Sequence, residues 1–145
     1  MVLMALTMSF SFASCSDDDE DPEHNQGYLI GTWESTWSKG FEYNETYDHK
    51  VEKDEWDDAE SGYFLVFNED GTGYDYEEGY EEVKGDWTWK VSGNQLIISY
   101  EEWGEESYQV TIKELSKKTL KLLEQEKENG KVVFQSENTY SKISK

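Results

Sequence analysis

From Tyr28 onward the chain alternates apolar and polar residues in short runs, and turn chemistry interrupts the alternation about every ten residues. A period of two separates side chains onto the two faces of a strand, whereas a helix needs a period near 3.6. In "YLIGTWESTW", Gly31, Trp33, Ser35 and Trp37 share one face. "YFLVFNEDGTGYDY" has Tyr63, Leu65 and Phe67 leading into Glu69-Asp70-Gly71, with Tyr74 and Tyr76 returning, and Asp-Gly there marks a hairpin. "DWTWKVSGNQLIISY" repeats the device with Trp87, Trp89 and Val91, a turn at Ser92-Gly93-Asn94, then Leu96, Ile98 and Tyr100. "SYQVTIKEL" follows with Tyr108, Val110 and Ile112. Leu120 and Leu122 then precede Asn129-Gly130, the strongest short hairpin signal, and Val132 and Phe134 come after it.

Two stretches are less regular. "ELSKKTLKLLEQEK", within residues 114–127, is helical by composition, but Thr119 and the alternation of Leu120 and Leu122 before Asn-Gly favour a strand. In residues 41–62 the first half alternates Phe41, Tyr43, Tyr47 and Val51, and the second half reads as a charged loop. The expectation is an all-β up-and-down antiparallel meander of 8–9 strands, each paired with its neighbour in sequence. Such a meander tends to close into a barrel, because closure removes exposed strand edges.

At 145 residues there is room for one domain. Twenty-two aromatic residues (6 Trp, 10 Tyr and 6 Phe) supply a core where aliphatic residues are scarce. The formal charge is -20, from 33 acids against 13 lysines with no arginine. Nucleic acid is thereby disfavoured as a partner, since phosphate binding depends on Lys and Arg. The charge is uneven: residues 17–106 hold 28 acids and 5 lysines, residues 107–145 hold 5 acids and 8 lysines, and one part of the surface should be strongly acidic.

Residues 1–14, "MVLMALTMSFSFAS", carry no charge and match the apolar part of a secretory signal peptide, too short to span a bilayer as a helix. Phe12-Ala13-Ser14-Cys15 resembles the lipobox of bacterial lipoproteins, which implies cleavage before Cys15 and lipid attachment to its thiol. Residues 15–27 then form the lipidated cysteine and an acidic tether that includes Pro22 and His24. Acyl chains contribute about 0.8 kcal/mol per buried methylene, so two or three hold a protein at a membrane. The acids from Asp17 to Glu20 resemble the export signal of Bacteroidetes lipoproteins, which implies an outer-membrane lipoprotein exposed at the cell surface.

Residues 28–145 make the folded domain, and Gly31-Thr32-Trp33 on its first strand resembles the lipocalin signature. The succession of lipobox cysteine, acidic tether, "LIGTWESTW", "FNEDGTG", "WTWKVSGNQLIISY" and "TYSKI" is similar to the lipocalin-like lipoproteins of Bacteroidetes. The resemblance implies a barrel whose tryptophan plugs one end. Lipocalins stack an arginine on that tryptophan, and this chain has no arginine to place on Trp33.

Nothing in the sequence assembles a catalytic set: the sole cysteine is at the anchor, His24 lies in the tether and His49 stands alone. Adjacent acids such as Glu77-Glu78 and Glu101-Glu102 point to opposite faces of a strand. Residues 53–60 and "NEDGTG" lack the spacing of a calcium loop, and no phosphate loop or Cys/His cluster exists. The expectation is a non-catalytic protein with no cofactor and no metal. An eight-stranded barrel either fills with side chains or keeps space for one small ligand. In the second case Trp33, Trp37, Tyr63, Phe67, Tyr76, Trp87, Trp89, Tyr100 and Tyr108 are the inward aromatics that would contact a small hydrophobic or aromatic-compatible ligand. In the first, acidic loops at 53–60 and 77–82, with Trp56, Tyr80 and Trp103, would meet a surface protein or glycan.

Overall fold

The computed structural model describes residues 22–23, 25–100 and 107–144; Cys15, His24, Trp103 and residues 1–14, expected to be a signal peptide, lie outside them. Among the described residues a short 3-10 turn, Gln26–Tyr28, leads into nine strands: β1 (Gly31–Glu45), β2 (Val51–Ala59), β3 (Tyr63–Phe67), β4 (Thr72–Glu77), β5 (Gly85–Ser92), β6 (Gln95–Tyr100), β7 (Ser107–Leu115), β8 (Thr119–Glu128) and β9 (Lys131–Ser144). Every ladder is antiparallel. The strand order is β2-β1-β3-β4-β5-β6-β7-β8-β9, and a further β1–β9 pairing closes eight of the strands into a barrel with β2 added outside the ring.

The hairpins form where turn chemistry places them. At the β8–β9 tip Asn129 and Gly130 both have positive φ, 50° and 79°, which suits a tight turn between right-twisted strands. The 114–127 stretch is not helical: β7 ends at Leu115 and β8 begins at Thr119.

One expectation is overturned. The charged second half of residues 41–62 is strand β2, paired in continuous register with β1 from Trp37↔Ala59 to Glu45↔Val51. Eight of its nine residues are exposed, so no apolar face announces it; main-chain pairing to the long β1 makes the strand. Its acids suit an edge strand, where like charge discourages pairing with another chain. Trp56 is the exception, half-buried across from Gly40 and bonded through Nε1 to Ser38 Oγ at 2.9 Å. A Cβ at Gly40 would sit 2.6 Å from the Trp56 ring, so only glycine admits that indole. Trp56 thus folds onto the rim, while Tyr80 is 66% exposed.

The core is concentrated at the end where β1 begins, near the β3–β4, β5–β6 and β7–β8 turns. Leu29, Trp33, Phe67, Trp87, Leu96, Ile112, Leu115 and Leu120 are all buried there. Phe67 meets Trp87 and Trp89 edge-on, with ring centroids 5.1 and 5.5 Å away, the geometry favoured by ring quadrupoles. Trp89 Nε1 donates to the carbonyls of Asn68 and Thr72, fastening the β3–β4 turn.

Candidate ligand-binding cavity

The same strands that pack this closed end diverge from it in character at the other. Beyond Leu65, Ile98, Val110 and Leu122, the inward positions become Tyr63 on β3, Tyr100 on β6, Tyr108 on β7 and Glu124 on β8, while β9 contributes Asn138 opposite Leu122 and Tyr140 opposite Leu120, where the lining meets the core. These ten residues line a cavity of about 220 Å³. Each position follows from its strand's alternation: Leu120, Leu122 and Glu124 share a face and pair with Tyr140, Asn138 and Ser136 of β9.

Asp75 supports this lining from β4. It accepts hydrogen bonds from Tyr63 Oη (3.0 Å) and Trp87 Nε1 (2.9 Å), which ties the open-end cavity to the packed core. Glycines on either side make room: a Cβ at Gly73 would penetrate the Trp87 ring and lie 2.5 Å from the Val66 carbonyl, and one at Gly85 would lie 2.7 Å from Asp75 Oδ1. Tyr108 is 40% exposed, and Glu124 lies with it in the cavity wall. An ionised carboxylate only accepts, so the Tyr63 phenol donates to Asp75.

Desolvation by burial, and secondarily the charge of Asp75, pushes the Tyr100 phenol up to about 12. Burial likewise raises Tyr63, Tyr108 and Tyr140 well above the ordinary phenol range, and neighbouring carboxylates add to it. For Tyr140 those carboxylates are Glu60, Glu124 and Asp75, so three acids act on one hydroxyl. The interior of the open end is therefore a region of negative potential in which phenols stay protonated.

Of the aromatics expected to face inward, Tyr63, Tyr100 and Tyr108 line the cavity. Trp33, Phe67, Trp87 and Trp89 belong to the closed end or its packing. Two expectations are corrected. Trp37 is 43% exposed and donates from Nε1 to Asp57, because a bulge in the β1–β9 ladder between Ser35 and Trp37 shifts the alternation and turns Ser38 inward instead. Tyr76 points outward and stacks on Phe64 at 4.8 Å, since Gly73 and Asp75 take the inward positions of β4. Tyr140, Glu124, Asn138 and Asp75 are additional site residues. The period-two extension of Leu120 and Leu122 to Glu124 was the available signal for one of them.

At the closed end Trp33 is fully buried, and its Nε1 donates to the Leu29 carbonyl at 2.7 Å. Lys142, near the end of β9, holds Nζ 4.8 Å from the Trp33 ring centroid and donates to the Tyr28 carbonyl at 2.5 Å. A lysine from the last strand thus supplies the cation that arginine would otherwise bring to the plug tryptophan. It also ties the last strand to the segment that precedes the first.

The profile of the lipocalin-like domain matches residues 29–122, which reach from the plug segment into β8. The chain belongs to the lipocalin-like domain family. Among solved structures, it is similar to a lipocalin-like protein from Bacteroides uniformis, with 15% identity and a TM-score of 0.49, over 81% of this chain and 100% of the other. An uncharacterized protein from Bacteroides eggerthii matches with 13% identity and a TM-score of 0.45, over 79% of this chain and 99% of the other. No curated protein matches. In this lipocalin-like domain no group of three or more His, Cys, Asp or Glu side chains is arranged to hold a metal ion, among the described residues.

Proposed function

We propose that this lipocalin-like barrel is a non-catalytic binding protein that holds a small molecule in the open-end cavity, and that Cys15 carries the lipid that anchors it to the cell envelope. The observation that carries the binding reading is the contrast between the two ends of the barrel. The closed end is packed with buried aromatic and aliphatic side chains, while the open end keeps about 220 Å³ lined by four tyrosines. A barrel kept only as a rigid display scaffold gains nothing from that space, since voids cost stability. The volume lies below the usual range of about 300–1,000 Å³ for drug-sized ligands, so the molecule is small. Tyrosine faces accept a planar or aromatic body, and the polar groups between them fix its orientation.

The anchor rests on the lipobox-like sequence before Cys15 and on the acidic tether that follows, which would leave the barrel free at the outer face of the outer membrane. Native mass spectrometry of the protein isolated from its host tests the binding reading. The expected result is a discrete small adduct on the folded chain that is lost on denaturation and absent from Asn138→Phe, in which a ring fills the cavity. A bare mass for the folded, host-isolated protein would overturn the reading.

A further inference from the structure

We infer that the open-end cavity is selective for a small organic ammonium ion, held between tyrosine rings with its N–H groups directed at Glu124 and the phenol oxygens beside it. This rests on the cavity being a ligand site and specifies the chemical class that it takes.

Three observations converge on that class. The first is the hydrogen-bonding character of the lining. The Tyr63 hydroxyl gives its proton to Asp75, so this phenol has only lone pairs left for a ligand, and the Glu124 carboxylate on the cavity wall only accepts. The lining is rich in acceptors, and its complement is a molecule with several donors on one atom. A neutral polyol brings as many acceptors as donors, and an ammonium group brings donors alone.

The second is Tyr140. It is 6% exposed and lines the cavity, and the carboxylates of Glu60, Glu124 and Asp75 act on its phenol. A phenol oxygen at the cavity wall has lone pairs that can accept from a donor that enters.

The third is charge. No lysine is among the lining residues, and the ion pairs drawn between described side chains, Lys121–Glu114, Lys53–Glu55 and His49–Glu45, all lie elsewhere. The rim depression next to Tyr63 is formed by residues 59–63 with Glu77 and Glu78, and adds three carboxylates at the approach. Such a funnel of one sign raises the local concentration of cations and repels anions. Inside, an ammonium ion also gains from the faces of tyrosine rings.

Calorimetric titration of the full chain with three compounds of one shape tests the inference: 2-phenylethylammonium, 2-phenylethanol and phenylacetate. The ammonium should bind at least about tenfold more tightly than the alcohol, with phenylacetate undetectable. Glu124→Gln keeps the size and an acceptor oxygen and removes the charge from the cavity wall, and should weaken the ammonium about fivefold or more and the alcohol far less. Tyr140→Phe removes only the hydroxyl and should weaken the ammonium severalfold. Equal or tighter binding of the alcohol or the acetate would overturn the ammonium assignment and leave the cavity as a ligand site. Ammonium binding that persists in the cavity-filling Asn138→Phe variant would show attachment to the acidic surface and overturn the assignment. If none of the three compounds binds, the ammonium assignment falls, and the cavity reading stands or falls by the adduct on the host-isolated protein.

Discussion

Replacing Lys142 by methionine keeps the length of an unbranched side chain and removes the charge from the plug at the closed end. The ammonium sits 4.8 Å from the centroid of the fully buried Trp33 ring, and a cation over a desolvated indole is worth up to about 2 kcal/mol. It also donates to the Tyr28 carbonyl at 2.5 Å, a charge-assisted bond worth about 1.5–3 kcal/mol. Tyr28 is only half-buried, so water recovers part of the second contribution. Methionine packs on the indole and recovers part of the first. The net loss expected is about 2–3 kcal/mol. Urea unfolding followed by tryptophan fluorescence measures it as a lower midpoint with an unchanged slope. Lys142→Arg, which restores both the cation and the donor, should lie close to the parent. A loss under about 0.5 kcal/mol for Lys142→Met, the range of an ordinary surface substitution, would refute the view that this lysine closes the barrel.

Further outcomes follow from the same geometry. Gly73→Ala drives a methyl into the Trp87 ring and should destabilise by about 1–3 kcal/mol or more, with a changed near-ultraviolet circular dichroism signal from the tryptophans; a parent-like midpoint would contradict the packing. On alkaline titration at 295 nm, Tyr100 should ionise only near about 12. A phenol whose folded value is raised stabilises the fold fully below pH 10 and loses that contribution as pH rises through its folded value, so unfolding free energy should fall from pH 10 toward 12, and a flat profile would contradict the buried tyrosines. Cys15→Ala should release the protein from membranes into the soluble fraction, and continued sedimentation with membranes would refute lipid attachment.

The barrel was legible in the sequence because its strands carry a buried face and its turns carry Asp-Gly, Ser-Gly-Asn and Asn-Gly. Strand β2 was not, since neither of its faces is buried and its pairing depends on β1 running on to Glu45. Trp37 and Tyr76 were misassigned for a related reason. Alternation fixes relative faces only until a bulge, and at β4 it was glycine at 73, set by the Trp87 ring, that decided which parity turned inward. The site was half legible. Tyr63, Tyr100 and Tyr108 lie on recognised inward faces, whereas Asp75, Glu124 and Asn138 are residue types expected at the surface. For Asp75 the inward position became visible only once neighbouring strands supplied the phenol of Tyr63 and the indole of Trp87 as donors to hold it. Lys142 was hidden by distance in sequence: the chain has no arginine to place on Trp33, and the lysine that stacks on that ring lies more than a hundred positions away.

The central claim is that the open end of this lipocalin-like barrel holds a small molecule while the closed end is solid. A crystal structure of the protein isolated from its host with the retained molecule tests it most directly. The account predicts density for that molecule between Tyr63, Tyr100, Tyr108 and Tyr140, with a donor group within hydrogen-bond distance of the Tyr140 hydroxyl. A molecule seated on the outer face of the sheet, or an open end collapsed to a packed interior, would contradict it.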